Sequence, residues 1–383
     1  MRVTICCKRF GPSGGAETFV SNFVRCLLAG GHRVRIITAE PTGPVEGVEV
    51  AELAVPPVPK TFRDLALARA ARRALEAEDA DVTFSDQKCW GARVVRPGGG
   101  VQREYVKQRI KAFRSPAQRI AKRLAYALSI RERLRIHIDD TLYRPPGPEL
   151  IIANSDMVRR HLKLHYPHLT GRIRVVYNGA DVERFHPGLK EQHRASVREE
   201  LDIPQEALVG VFVGTGWRRK GLHTFVEALG LLARRQAARP FYGIVVGRGP
   251  VRAMRAFAAR RGAGDLVRFA GQDQPDRYYG AADFLALPTY FDPCANVTLE
   301  ALACGLPIIT SVHNGAHELL TPGTEGFSLE DPSDACGLAG FMEQMADEGW
   351  HADASEAARA LAMEHTLERQ HAELTDAILP LAG

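Results

Sequence analysis

Two acidic residues in the second half of the chain, Asp292 and Glu300, lie eight residues apart in the stretch FDPCANVTLEALACGLPIITS at 291–311. The pattern predicts Asp292 in a loop after a strand and Glu300 inside the following helix. The first N–H groups of that helix are those of Ala295, Asn296 and Val297. Such groups have no partner within a helix and can bind a phosphate. A carboxylate accepts paired hydroxyl groups, so an acid beside a phosphate site is suited to a sugar or a ribose. The alternative is a loop-capping Asp292 and a solvated Glu300.

Three consecutive cations follow a predicted strand and a glycine loop in the stretch GTGWRRKG at 214–221, which begins with Gly214. Arg219 and Lys220 could neutralise a diphosphate, the arginine through its forked donors and the lysine as a point charge. The alternative is a solvated basic turn at the start of the next helix. Because cations oppose the helix dipole at that end, the functional interpretation is favoured.

A glycine-rich turn, GPSGGAE at 11–17, follows the first predicted strand. It lacks the GxGxxG order, and no lysine follows it as in a phosphate-binding P-loop. Gly14 and Gly15 would let a ligand approach the backbone closely. A plain tight turn explains the stretch nearly as well.

Histidines and cysteines give no metal signature. His161 with His165, and His313 with His317, have i, i+4 spacing, but neither pair forms an HExxH motif. The seven cysteines are odd in number and have no CxxC spacing. We therefore expect no metal and no other cofactor, and the cysteines indicate reduced thiols in a cytosolic protein.

Strands and helices alternate along the whole chain. Strands are predicted at 2–7, 32–38, 81–85, 207–213, 241–246, 266–272 and 306–311. Helical patterns separate most of them, which favours parallel sheets with helices on both faces. The sequence therefore predicts an α/β protein of two doubly wound Rossmann-like domains that face a cleft, with ligands beyond the carboxyl ends of the strands.

Three segments divide the 383 residues. Residues 1–178 are predicted as the N-terminal domain and 179–360 as the C-terminal domain. Residues 361–383 are predicted as a helical tail that packs back on the N-terminal domain.

The charge of the chain is concentrated in one segment, residues 103–135. This segment holds eleven Lys/Arg against two acids, a net charge of +9, and so leaves −4 on the rest of a chain whose total is +5. A helix is predicted over 116–135, with Ile120, Leu124 and Leu128 on one face. Aromatic residues that could stack on bases are few, so nucleic acid is not expected as a partner. An anionic membrane surface suits the pattern better, and the alternative is a solvated arginine-rich helix.

Taken together, these stretches resemble the family 4 retaining glycosyltransferases of GT-B fold. The matching stretches are GGAE at 14–17, ANSDMV at 153–158, VVYNGADVERF at 175–185, GWRRKG at 216–221 and LEALACGLPIIT at 299–310, together with Asp292. Within that family the chain is most similar to the lipopolysaccharide core glucosyltransferases that act on heptose, a subgroup with a basic membrane-binding segment.

The resemblance implies a role for each matching residue. Glu300 would hold the ribose hydroxyls of a nucleotide-sugar donor, and Asp292 would bind the hydroxyls of the donor sugar. Arg219 and Lys220 would bind the diphosphate. The other implied donor contacts are Gly14, Gly15, Arg184, Gly214, Ala295, Asn296, Val297 and Gln272, the last of these near the base.

The resemblance also implies the partners. The donor would be UDP-glucose and the acceptor an anionic cell-envelope glycolipid, reached from the inner face of the cytoplasmic membrane. The implied membrane and acceptor contacts are Arg103, Lys107, Lys111, Arg119, Lys122 and Arg123.

Two positions depart from the family pattern. Asp292 stands where the family has glutamate and is shorter by one methylene, which leaves the donor sugar open. Gln102 stands where many relatives have histidine, and glutamine cannot act as a general base. Another donor, such as GDP-mannose, ADP-heptose or UDP-GlcNAc, and a UDP-sugar epimerase of the same fold stay as alternatives. The third alternative is a non-catalytic protein that binds a membrane or a nucleic acid.

Overall fold

The computed structural model describes residues 1–11, 15–40, 46–235 and 239–382, with the backbone alone for residues 15–18. The chain divides into two compact units. Unit 1 comprises residues 1–110, 114–177 and 368–383, and unit 2 comprises 111–113 and 178–367. Residues 361–367, which the sequence analysis grouped with the tail, therefore belong to unit 2, as does Lys111 from the basic segment.

Unit 1 is built on a seven-stranded parallel sheet with the order β3-β2-β1-β4-β5-β6-β7. Its strands are β1 (Arg2–Arg9), β2 (Arg33–Glu40), β3 (Val48–Glu52), β4 (Val82–Ser85), β5 (Val94–Val95), β6 (Leu150–Ala153) and β7 (Ile173–Val175). The order runs outward in both directions from β1 and β4, which is the doubly wound arrangement that the strand–helix alternation predicts. The short strands β3 and β5 were not predicted.

Helices cover both faces of this sheet. They are α1 (Gly15–Ala29), α2 (Arg63–Glu76), α3 (Gln102–Lys111), α4 (Pro116–Leu128), α5 (Ile130–Leu142), α6 (Asp156–His165) and the last helix of the chain, α14 (Leu367–Ile378). Leu374 and Ile378 of α14 are fully buried in the same hydrophobic cluster as Phe23 of α1 and Ile5 of β1. The C-terminal helix is thus part of the unit 1 core.

The single helix predicted over 116–135 is wrong, because the chain forms two helices there that meet at Ser129. The Ser129 hydroxyl accepts a hydrogen bond from the Glu132 N–H at 3.4 Å and so begins α5. Serine side chains compete with the helix backbone in this way, so Ser129 is a local signal for the break between the two helices.

Unit 2 has a six-stranded parallel sheet with the order β10-β9-β8-β11-β12-β13. Its strands are β8 (Leu208–Val213), β9 (Phe241–Val246), β10 (Val267–Gly271), β11 (Phe284–Ala286), β12 (Ile308–Ser311) and β13 (Gly326–Leu329). All six residues of β8 are buried, as expected for a central strand with helices on both faces.

Seven helices surround this sheet within the described residues of unit 2. They are α7 (Leu189–Glu200), α8 (Leu222–Arg235), α9 (Val251–Arg261), α10 (Asp276–Ala281), α11 (Asn296–Ala303), α12 (Ala335–Gln344) and α13 (Glu348–Glu364). No helix in the described part of either unit combines the length and the apolar character needed to cross a membrane.

One buried cation connects three elements of unit 2. Arg198 of α7 is fully buried, and its Nη2 lies 2.9 Å from Oδ2 of Asp283. Its other donors bind backbone oxygens, including that of Ala281 at 3.0 Å and that of Ala207 at 2.9 Å. Asp283 Oδ2 also accepts the N–H of Val209 at 2.8 Å. The pair therefore fixes α7 against β8 and the start of β11.

We expect Arg198→Met to lower the free energy of unfolding of unit 2 by about 3–5 kcal/mol, because it removes one of the two cations that pair with the buried Asp283 carboxylate and leaves several backbone oxygens without their donor. Urea denaturation followed by tryptophan fluorescence measures this, since Trp217 and Trp350 lie in unit 2. Arg194→Met is the matched control, because Arg194 also pairs with Asp283, at 2.8 Å, but is partly exposed. Equal losses in the two variants would contradict the assignment.

Candidate active site

Glycines at the carboxyl ends of β8, β9 and β10 allow the backbone segments that follow these strands to approach one another closely. The Gly214 N–H donates to the Val246 carbonyl at 2.9 Å, and the Gly247 N–H donates to the Gly271 carbonyl at 2.6 Å. A Cβ on Gly247 would lie 2.4 Å from the Gly214 oxygen. A side chain at 247 would therefore push apart the loops after β8 and β9.

The loop after β8 positions Lys220. Gly214 has φ +137°, and a Cβ there would lie 2.8 Å from Cδ and 3.0 Å from Nζ of Lys220. Gly221 has φ +81°, and a Cβ there would lie 1.9 Å from the Pro288 carbonyl oxygen. The lysine side chain thus passes over Gly214, and Gly221 lets α8 begin directly against the loop after β11.

Asp292 lies between the two predicted diphosphate-binding cations. Its Oδ2 is 3.3 Å from Lys220 Nζ and 3.4 Å from Arg219 Nη1. Arg219 Nη1 also donates to the Phe291 carbonyl, and the Arg219 carbonyl accepts the Tyr290 N–H at 2.8 Å. The structure therefore brings together three of the predicted site residues, and two cations against one carboxylate leave a net positive charge.

Glu300 is held by a residue that the sequence analysis missed. The Tyr279 hydroxyl of α10 donates to Glu300 Oε2 at 2.8 Å. Burial raises the pKa of the Glu300 carboxyl, while the Tyr279 hydrogen bond and the charges of Arg184 and Lys220 oppose that shift. Glu300 is therefore in electrostatic contact with the same cation that Asp292 binds. Oε1 makes no hydrogen bond to any described residue, which leaves it able to accept hydroxyl groups.

The start of α11 is organised by two asparagines. Asn314 Oδ1 accepts the Ala295 N–H at 3.1 Å, so this predicted phosphate donor is already engaged within the protein. Asn178 Nδ2 donates to Asn296 Oδ1 at 2.6 Å and to the Cys294 carbonyl at 2.9 Å. No side chain caps α11. The backbone N–H groups of Asn296 and Val297 therefore have no partner within the helix.

Arg184 is engaged by protein groups rather than left open to a ligand. Its Nε and Nη2 lie 2.5 Å and 2.7 Å from the two carboxylate oxygens of Asp276, and Nη2 lies 2.7 Å from Gln274 Oε1. Gln272 is exposed just after β10. Arg184 could contact the donor only if its ion pair with Asp276 were broken. Gln272, in contrast, faces solvent and could contact a ligand without such a change.

The remaining predicted residues lie in other parts of the chain. Gly14 lies outside the described residues, and Gly15 begins α1 in unit 1. Arg103 pairs with Asp140 at 2.7 Å and Lys107 with Glu104 at 3.3 Å. Among the other predicted membrane contacts, Arg119 is partly exposed, and the exposed ones are Lys111, Lys122 and Arg123. Throughout the described residues, no group of three His, Cys, Asp or Glu side chains is placed to hold a metal ion.

Two sequence profiles match the two halves of the chain separately. Residues 13–184 match the sequence profile described as Glycosyltransferase Family 4, and residues 207–348 match the one described as Glycosyl transferases group 1. A D-inositol 3-phosphate glycosyltransferase of Corynebacterium jeikeium is 32% identical over 197 residues, 49% of this chain and 47% of the relative. One of Streptomyces avermitilis is 29% identical over 209 residues, 52% of this chain and 44% of the relative. The chain thus matches less than half the length of these relatives.

Solved structures share the fold over nearly the whole chain. WaaG, a glycosyltransferase involved in lipopolysaccharide biosynthesis, has a TM-score of 0.80 at 21% identity, with 98% of this chain and 99% of that one covered. Anabaena HepE, solved in complex with UDP and glucose, has a TM-score of 0.71 at 18% identity, with 98% of each chain covered. With two parallel Rossmann-like sheets, the chain has the GT-B fold, and each half contains a match to one glycosyltransferase profile.

Proposed function

We propose that the protein is a retaining glycosyltransferase that transfers a hexose from a nucleotide diphosphate sugar to a glycolipid of the cell envelope. The observation that carries the proposal is the cluster of Arg219, Lys220 and Asp292 beside Glu300. Glucose from UDP-glucose is the first candidate donor, and the heptose of a lipopolysaccharide core is the first candidate acceptor. The resemblance to that subgroup and the likeness to WaaG support both choices.

The donor diphosphate would lie against the positive charge of Arg219 and Lys220. The lysine is 3.3 Å from Asp292, so its ammonium is fixed in place before a ligand binds. The uncapped N-terminal turn of α11 adds the N–H groups of Asn296 and Val297. Glu300, with one free oxygen, would accept the ribose hydroxyls. We propose no metal ion, since the two cations would balance the diphosphate charge.

The chemical step breaks the bond between the anomeric carbon and the diphosphate oxygen and forms one to an acceptor hydroxyl oxygen. Negative charge grows on the leaving diphosphate, and preorganised cations aimed at that charge lower the barrier. We propose that the acceptor proton passes to the leaving phosphate oxygen on the same face of the sugar, which gives retention of configuration.

A panel of UDP-, GDP- and ADP-sugars tests the proposal, with nucleotide release measured with and without truncated lipopolysaccharide. Acceptor-dependent release of one nucleotide, with an α-linked product from an α-linked donor, supports a retaining transferase. Release of free UDP with an altered sugar and no acceptor would identify an epimerase instead. No turnover of any donor would indicate a non-catalytic binding protein.

We expect Lys220→Ala to lower the turnover number in this assay by about 100- to 1,000-fold, because it removes a cation aimed at the leaving diphosphate. Arg218→Ala is the matched control, since this neighbouring cation is exposed and makes no ion pair with Asp292 among the described contacts. Lys220→Ala with wild-type turnover would overturn the assignment.

Glu300 should determine recognition of the ribose. We expect the wild-type protein to bind the released nucleoside diphosphate about tenfold or more tightly than its 2′,3′-dideoxy analogue, since hydrogen bonds to a charged group contribute about 1.5–3 kcal/mol. Glu300→Gln should bind the two alike in a calorimetric titration. Glu343→Gln on α12 is the control and should keep the wild-type ratio. A wild-type protein that does not distinguish the two nucleotides would refute this role.

The surface of α4 supports placing the enzyme at a membrane. None of its residues is buried, and Ile120, Leu124 and Leu128 are 63%, 60% and 79% exposed along one face. Lys122 and Arg123 are exposed on the same helix. An apolar stripe with basic residues beside it is the pattern of a helix that lies in the interface of an anionic membrane. We therefore propose that the protein acts at the inner face of the cytoplasmic membrane.

We expect anionic phospholipid vesicles to retain the protein at low salt and to release it at high salt, because each basic residue near such a surface contributes about 1 kcal/mol, weakened by screening. Leu124→Asn should weaken retention in a flotation assay. Leu164→Asn removes an equally exposed leucine from α6 and should not. If the two variants are retained equally by the vesicles, α4 is only a solvent-exposed helix and does not bind the membrane.

A further inference from the structure

Tyr279 is a buried tyrosine of α10 whose hydroxyl lies at the candidate donor site. The residue is 1% exposed. Its hydroxyl donates to Glu300 Oε2 at 2.8 Å and lies 3.4 Å from the carbonyl oxygen of Val297. Both partners belong to α11. Because a buried hydroxyl without a partner costs free energy, the bond to the carboxylate persists when no ligand is bound.

The tyrosine is held in place by residues outside α11. The ring of Phe185 contacts the Tyr279 ring edge-on, with the two centroids 5.8 Å apart. A Cβ on the next residue, Gly280, would lie 2.3 Å from the carbonyl oxygen of Leu189, so α10 packs directly against the first residue of α7. Since α10 cannot shift without opening this contact, Tyr279 is a rigid support for Glu300.

The tyrosine makes the two carboxylate oxygens of Glu300 unequal. Oε2 holds the tyrosine proton, whereas Oε1 makes no hydrogen bond to any described residue. A carboxylate that rotates freely offers about four acceptor positions on two oxygens. With Oε2 engaged, the ribose hydroxyls meet Oε1. One oxygen can accept two hydroxyl groups only if it is aimed at both, which requires a carboxylate of fixed orientation.

The charge of this carboxyl also depends on Tyr279. Burial is the largest effect and raises the pKa of Glu300, and the hydrogen bond from Tyr279 is the largest effect that lowers it. Four other ionisable groups interact with Glu300. They are Arg184 before α7, Lys220 after β8, Asp276 of α10 and Cys304 after α11. The two cations favour the charged carboxylate and Asp276 opposes it, while burial and the charge of Glu300 raise the pKa of the Cys304 thiol.

We propose that Tyr279 is the positioning residue of ribose recognition: its hydroxyl holds Glu300 Oε2, so that Oε1 faces the ribose hydroxyls of the donor nucleotide. The inference rests on the proposed function, in which Glu300 binds the ribose. Tyr279 acts through the carboxylate and not by touching the nucleotide.

Tyr279→Phe tests the inference, because it removes the hydroxyl and keeps the ring that packs on Phe185. Calorimetric titration of the full-length protein uses UDP and its 2′,3′-dideoxy analogue. We expect the variant to bind UDP about fivefold more weakly than the wild-type protein does, and the analogue within about twofold of it. Unchanged binding of the analogue also shows that the variant is folded.

The pH dependence of the affinity ratio separates positioning from a purely structural role. Because UDP and its analogue carry the same diphosphate, the titration of that group cancels in the ratio. The preference for UDP is lost as the pH falls and Glu300 takes up a proton. Tyr279→Phe removes the hydrogen bond that lowers the pKa of Glu300, so the preference should be lost at a higher pH than in the wild-type protein.

Tyr278→Phe is the matched control. Tyr278 is the neighbouring tyrosine on α10 and is 2% exposed, but its hydroxyl donates to Asp273 Oδ2 at 2.8 Å. This variant should keep the wild-type affinity ratio and its pH dependence. Tyr279→Phe added to Glu300→Gln should leave the ratio of the single Glu300→Gln variant unchanged, since the tyrosine acts through that carboxylate.

A Tyr279→Phe protein with the wild-type ratio at every pH would overturn the inference, as would one that binds both nucleotides more weakly by the same factor or binds neither. These results leave the proposed role of Glu300 intact if the wild-type protein prefers UDP to the analogue. If the wild-type protein shows no such preference, the ribose role of Glu300 in the proposed function fails, and the inference fails with it.

Discussion

The candidate site depends on holding positive charge in place without neutralising it. Among the described side chains, Asp292 is the one carboxylate that lies within 3.4 Å of both Arg219 and Lys220. With one carboxylate for two cations, the cluster keeps a net positive charge while both side chains are fixed. Fixed charge is worth more than mobile charge, because no reorganisation is needed when the leaving group becomes negative. A second carboxylate at the same distance would remove the excess charge on which the proposed diphosphate binding depends.

Glycine makes this arrangement possible because the site is formed by backbone that approaches very closely. Lys220 passes over Gly214, and the loop carrying both cations meets the Pro288 carbonyl at Gly221. A side chain at either position would displace the lysine or the loop. The same loop is bonded to the chain after β11 through the Arg219 carbonyl and the Tyr290 N–H. These contacts between the two loops hold the cations against Asp292, whose own backbone is also bonded to His313 and Gly315.

The sequence correctly predicted those strands and site residues whose pattern lies within a short stretch of the chain. Hydrophobic runs located β1, β2, β8 and β9, and a glycine loop before a helix located Lys220. Tyr279 was missed because its partner, Glu300, is 21 residues away and nothing in the sequence pairs them. Asn314, which engages the Ala295 N–H from 19 residues away, was missed for the same reason. The break at Ser129 is local, but helix-forming sequence lies on both sides of it, and the pattern therefore predicted one helix.

The cations of this protein occupy three environments with different physical consequences. Lys220 is 12% exposed and paired with a carboxylate, so salt in solution screens it little. Lys122 and Arg123 are exposed on α4, where their attraction to an anionic surface falls within a Debye length of about 8 Å at physiological salt. Lys8 lies between these extremes, since it is half-buried and lines two cavities of unit 1. Raising the ionic strength should therefore weaken the proposed membrane contact before it weakens the proposed donor site. The proposed membrane attachment and the proposed sugar transfer would thus be separable, because they depend on charges that differ in burial.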